Sequence, residues 1–91
     1  MTAGAFTKDP ASRLDWVWDW TDWLAAGETI TAQTVTAPDG LTVEPPTHAD
    51  GKVTVWISGG TAGKVYRVTC QITTDSGRID ERSITIRVIE R

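Results

Sequence analysis

Apolar and polar residues alternate with a period of two over most of this chain, in short runs separated by turn signals. Leu14, Trp16, Trp18 and Trp20 alternate with Asp15, Val17 and Asp19. At 100° per residue the same apolar side chains would scatter around a helix, so the spacing predicts a half-buried strand. Val53, Val55 and Ile57 alternate with Thr54, Trp56 and Ser58. Tyr66, Val68, Cys70 and Ile72 alternate with Arg67, Thr69 and Gln71, and Ile84, Ile86 and Val88 with Ser83, Thr85 and Arg87. The threonine-rich stretch 30–36 and the short stretch 41–43 add two further strands, because branching at Cβ suits a pleated surface better than a helix. Trp23-Leu24 continues past a corner, and Pro38-Asp39-Gly40, Asp50-Gly51 and Asp75-Ser76-Gly77 supply turns. Pro45-Pro46 ends the 41–43 stretch, since neither proline can donate to a ladder.

About seven short strands at turn spacings of roughly 8–12 residues outline an all-β fold, an Ig-like antiparallel β-sandwich. Residues 1–10 lack periodicity and end in Lys8-Asp9-Pro10, which reads as an extended N-terminal arm leading into a single domain over 11–91.

The chain's 91 residues leave room for one small domain and no separate catalytic unit. One cysteine cannot form an intrachain disulfide, so the fold does not rest on such staples. The opening residues lack the basic-then-apolar pattern of a signal peptide, and no run approaches 18 apolar residues, so no membrane span is expected. A net charge of −3 lacks the basic footprint that nucleic-acid binding needs. The charge is nevertheless uneven: residues 1–51 carry two basic and eight acidic side chains, and residues 52–91 carry seven basic and four acidic. That split fits acidic and basic strands lying together in one sandwich.

Candidate chemistry is sparse. The run from Ser58 through Gly59-Gly60-Thr61-Ala62-Gly63-Lys64 to Val65 looks like a phosphate loop. It lacks the leading glycine and the hydroxyl after the lysine, and a strand follows it where a helix N-terminus is required. It is therefore expected to be a strand connection. Asp15 and Asp19 point the same way on a strand but lie about 13 Å apart, too far to share one ion without a bend. His48 stands in a Pro-Pro-Thr-His-Ala-Asp-Gly loop with no nucleophile motif nearby. Cys70 shares the parity of Val68 and Ile72 and reads as a small buried hydrophobe. No catalytic residues, metal ligands, cofactor or small-molecule substrate are expected.

Tryptophan is the odd feature: five, against one phenylalanine and one tyrosine. A core needs bulky fillers, which Trp20 and Trp23 can supply. Placed at the surface, Trp16, Trp18 or Trp56 would anchor a protein partner or stack on a sugar ring.

Two blocks of residues carry a family resemblance. The first is Phe6-Thr7-Lys8-Asp9-Pro10, Leu14-Asp15-Trp16, Asp19-Trp20, Trp23-Leu24 and Ile30. The second is Val55-Trp56-Ile57-Ser58-Gly59-Gly60-Thr61-Ala62-Gly63, Tyr66, Val68-Thr69, Ile72-Thr73-Thr74, Gly77-Arg78, Asp80, Arg82-Ser83 and Ile84-Thr85-Ile86. Over nearly the whole chain they resemble the phage fiber-tail adaptor family. The resemblance implies a non-enzymatic virion protein of a tailed bacteriophage, made in the host cytoplasm and carried in the tail. Its implied partners are tail and fiber proteins, met in several copies in a symmetric ring, with no nucleic acid or membrane. Phe6, Lys8, Trp16, Trp18 and Trp56 are the candidate partner-interface residues. A capsid decoration protein and a carbohydrate-binding module are the alternative readings.

Overall fold

In the computed structural model, residues 2–90 are described; Met1 and Arg91 lie outside the described residues, as do the side chains of Thr2 and Ala3. Eight strands follow one another: β1 (Thr2–Lys8), β2 (Arg13–Asp19), β3 (Ile30–Thr36), β4 (Leu41–Val43), β5 (Thr47–Ala49), β6 (Lys52–Gly59), β7 (Val65–Thr74) and β8 (Ile79–Val88). They form two layers. One sheet has the order β1-β8-β7-β3 and the other β2-β6-β4, with β5 also pairing to β6. The sandwich expected from the alternation is therefore present, with two of its strands differing from the sequence reading.

The first difference is β1. The segment expected as an arm holds a strand that pairs in parallel with β8, Phe6 opposite Ile86 and Lys8 opposite Val88. Ala3, Gly4 and Ala5 are too small to write an apolar stripe, so the pairing is set by β8 and leaves no mark in the pattern. The second is β5. His48 lies opposite Val53 in a short hairpin strand, closed by Asp50 and Gly51 at φ 53° and 78°. Two successive positive φ angles are what a tight type I′ hairpin turn requires.

Both inner faces obey the period of two. Trp16 and Trp18 from β2 meet Val53, Val55 and Ile57 from β6 in one sheet. The other contributes Tyr66, Val68, Cys70 and Ile72 from β7 and Ile84, Ile86 and Val88 from β8. Trp20 lies just past β2 and is fully buried. Its indole N–H donates to Asp80 at 2.8 Å, and the Arg82 guanidinium lies 4.9 Å from its ring centroid. The Trp18 indole nitrogen is buried without a hydrogen-bond partner among the described residues, a cost of about 1–3 kcal/mol by the usual measure of an orphaned donor.

The glycine-rich run connects β6 to β7, and its amides are taken up by the protein. Gly60 donates to the Gly40 carbonyl at 2.9 Å, Gly63 to Val88 at 2.8 Å, and Thr61 to the Tyr66 hydroxyl at 2.9 Å. At Gly60 φ is +99°, and a Cβ would lie 2.6 Å from Val88 Cγ2. The backbone there passes against the end of the core, which explains the glycine without any bound anion.

Candidate protein-docking surface

The residues that alternate with the core of β2 and β6 form an outward face. Across the two strands Arg13 lies opposite Ser58, Asp15 opposite Trp56, Val17 opposite Thr54 and Asp19 opposite Lys52. Trp56 is 39% exposed and Val17 53%. The Arg13 guanidinium sits 4.4 Å over the Trp56 ring and is fixed there by paired bonds to Glu44, 2.5 and 2.8 Å. Glu44 is itself placed by its backbone N–H, which donates to the Trp56 carbonyl at 3.0 Å. The hydrogen bond from Arg13 holds the Glu44 carboxyl below the usual carboxylate range. The result is an aromatic side chain with a cation clamped on one face.

Around the edge of β2 the surface turns apolar. β2 pairs with β6 and ends its sheet, while β1 ends the other sheet on the same flank. Phe6 and Trp16 meet across this seam edge to face, centroids 6.4 Å apart and planes at 77°. Leu14 and Val17 complete an open groove of about 620 Å³. Phe6 is 44% exposed and Leu14 40%. An apolar groove beside an end strand is where an extended segment of another chain can add backbone and side-chain contacts together.

The five candidate interface residues separate under this geometry. Phe6 and Trp56 are exposed. Trp16 and Trp18 are 8% and 2% exposed and belong to the core, because they share the parity of Trp20; a surface position for them is corrected. Lys8 is also fully buried. Its ammonium donates to the carbonyls of Asp9 at 2.8 Å and Gly59 at 2.7 Å, and burial pushes its pKa below 10.5. Cys70 is buried, with its thiol pushed up to about 12 by desolvation. Arg13, Leu14 and Val17 were not among the candidates. The signal for Val17 was present: an apolar residue at the polar parity of a strand.

A polar lock closes another part of the molecule. The Glu28 carboxylate accepts hydrogen bonds from Arg78, Ser76, Thr74 and the Ala25 amide, and Arg78 also lies 3.9 Å from the Trp23 centroid. The bonds from Arg78, Ser76 and Thr74 hold the Glu28 carboxyl far below its usual value of 4.5. A depressed carboxyl stabilises the fold above the unfolded pKa, and that contribution is lost as pH falls below 4.5 toward the folded value. Urea midpoints measured from pH 6 to pH 2 are expected to fall in the native chain. In Glu28→Gln the midpoint is lower at pH 6 and falls less steeply toward acid than in the native chain.

Among the described residues the fold is an all-β sandwich of two sheets, a small β-module that presents exposed aromatic and apolar side chains along one flank. Residues 8–87 match the family described as podophage GP4 fiber-tail adaptor protein gp77, and the chain belongs to that family. The matched span runs from the last residue of β1 to just short of the end of β8, taking in both sheets. Membership gives the chain a structural role as a phage tail adaptor and agrees with the resemblance read from its sequence. No curated protein matches it.

Proposed function

We propose that the chain joins tail fibers to the tail by protein–protein contacts and catalyses no reaction, with several copies set in a symmetric ring in the virion. The observation that carries this reading is the continuous surface from Trp56 across Val17 to the Phe6–Leu14 seam, on a member of an adaptor family. Trp and Arg are the residue types that most often dominate binding energy at protein interfaces, and the Arg13–Trp56 pair presents both. Lys8, Trp16 and Trp18 serve this surface from beneath, by holding β1 and β2 in place. The sugar-binding alternative loses support from the guanidinium that covers Trp56.

The test is quantitative mass spectrometry of purified particles carrying either the native chain or Trp56→Ala/Val17→Asp. The native chain is expected at a small copy number relative to the major capsid subunit. In the variant the chain still folds, and fiber protein per particle falls roughly tenfold, as loss of an interface hot spot implies. A copy number close to that of the capsid subunit would make the chain a decoration protein. Unchanged fiber content would remove this face from the contact.

A further inference from the structure

An adaptor needs two separate surfaces, and the outward face of the β1-β8-β7-β3 sheet lies on the far side of the sandwich from Trp56. Its side chains are the residues that alternate with Tyr66, Val68, Ile84 and Ile86. Its middle carries Thr69, Gln71, Ser83 and Thr85, and Glu81 and Ile79 lie toward the other end, beside Gln71 and Thr73. At the β7 start the character changes: Val65 is 60% exposed, the largest apolar side chain on that end of the face. It lies directly opposite Arg87. Arg67 follows two residues along β7 on the same face, which sets it diagonally across from Arg87, and Lys64 immediately precedes Val65. Lys64, Arg67 and Arg87 are all exposed.

Among the described residues none of these three cations takes part in an ion pair. By contrast Arg13, Arg78 and Arg82 are each held by a carboxylate. Like charges on neighbouring strands of one face repel, and all three side chains are exposed, so each could be a neutral polar residue without cost to the core. A local positive cluster around an exposed valine, on a chain of net charge −3, has the form of an interface core with a charged rim.

The geometry points to a second docking surface here, centred on Val65, that receives an acidic extended segment of a partner protein. Charge complementarity selects an acidic occupant, and cations placed along neighbouring strands suit an extended one. The apolar centre and the chain's overall negative charge favour protein over nucleic acid. The assignment of the partner to the virion rests on the adaptor reading; the chemistry of the surface does not.

Fluorescence anisotropy of a labelled peptide of about twelve alternating glutamates and valines tests the surface with the whole chain in solution. Binding is expected to weaken at least roughly tenfold in Arg67→Glu/Arg87→Glu, to weaken with added salt, and to be unchanged in Trp56→Ala. Arg67→Lys/Arg87→Lys is expected to retain most of it. Equal binding by the charge-reversed variant overturns the proposal, as does equal binding of a lysine–valine peptide. Tighter binding of a short DNA duplex would make the patch a nucleic-acid site. Concentration-dependent growth in mass on size-exclusion chromatography, abolished by the reversal, would make the occupant a second copy. Since the readout is a peptide, failure here leaves the adaptor reading standing, and absence of the chain from particles leaves the surface standing.

Discussion

Trp20→Ala is expected to lower the stability of the chain by about 3–5 kcal/mol, the range for removing a fully buried large aromatic. The side chain has no solvent exposure and lies where β2 leaves its sheet. It connects the two layers, because its indole N–H reaches Asp80 on β8 and Arg82 of the same strand lies on its ring. Arg82 also donates to the Asp19 carbonyl at 2.8 Å, so the loss would reach the end of β2. Trp20→Phe separates the terms. It keeps much of the ring volume and the contact with Arg82 but removes the hydrogen bond to a carboxylate, with an expected loss of about 1.5–3 kcal/mol. Urea unfolding followed by the remaining tryptophans measures both. Equal costs for the two variants would place the whole effect in the hydrogen bond, and a Trp20→Ala cost under about 1 kcal/mol would contradict its central position.

Lys8 is the second site of large effect. Its side chain is fully buried, and its ammonium donates to two carbonyls, one of them 51 residues away in Gly59. Lys8→Ala removes the packing and leaves both acceptors short of a donor, an expected loss of about 2–4 kcal/mol. Lys8→Met keeps most of the stem and is expected to lose about 1–3 kcal/mol. The pH dependence has a definite sign. Burial lowers the folded pKa of Lys8 below 10.5, so between the two values the unfolded chain binds the extra proton and stability rises with pH. The stability gap between the native chain and Lys8→Met should therefore widen from pH 7 toward pH 10. A gap that narrows would mean that the charged form is favoured in the fold.

Legibility in the sequence followed the apolar side chains. β2, β6, β7 and β8 each write their inner face as an alternation, and the turns at Pro38-Asp39-Gly40 and Asp75-Ser76-Gly77 carry their own signals. β5 was hidden because Thr47, His48 and Ala49 are all exposed and contribute backbone pairing alone. β1 was hidden because its small residues depend on β8 for their placement. The tryptophans show two arguments in conflict. Parity put Trp16 and Trp18 on the same side as Trp20, while their number argued for some at the surface; parity prevailed, because a core with almost no phenylalanine takes its volume from indoles. Val17 could be read as exposed from its parity in β2, but the Arg13 clamp on Trp56 depends on which strands became neighbours, and only the folded chain shows that.

The parallel pairing of β1 with β8 has a mechanical side. Thr2 begins the ladder beside Ser83, and Lys8 ends it beside Val88, so the entering and leaving segments depart from opposite ends of one strand pair. Tension applied through those two segments slides β1 along β8 and loads the bonds of the ladder side by side, where a hairpin pulled from one end would open bond by bond. Lys8 lies at the end of that ladder with its ammonium on the Gly59 carbonyl, so sliding must also draw a buried cation away from the other sheet. The fold thereby resists pulling most strongly along its own strand direction.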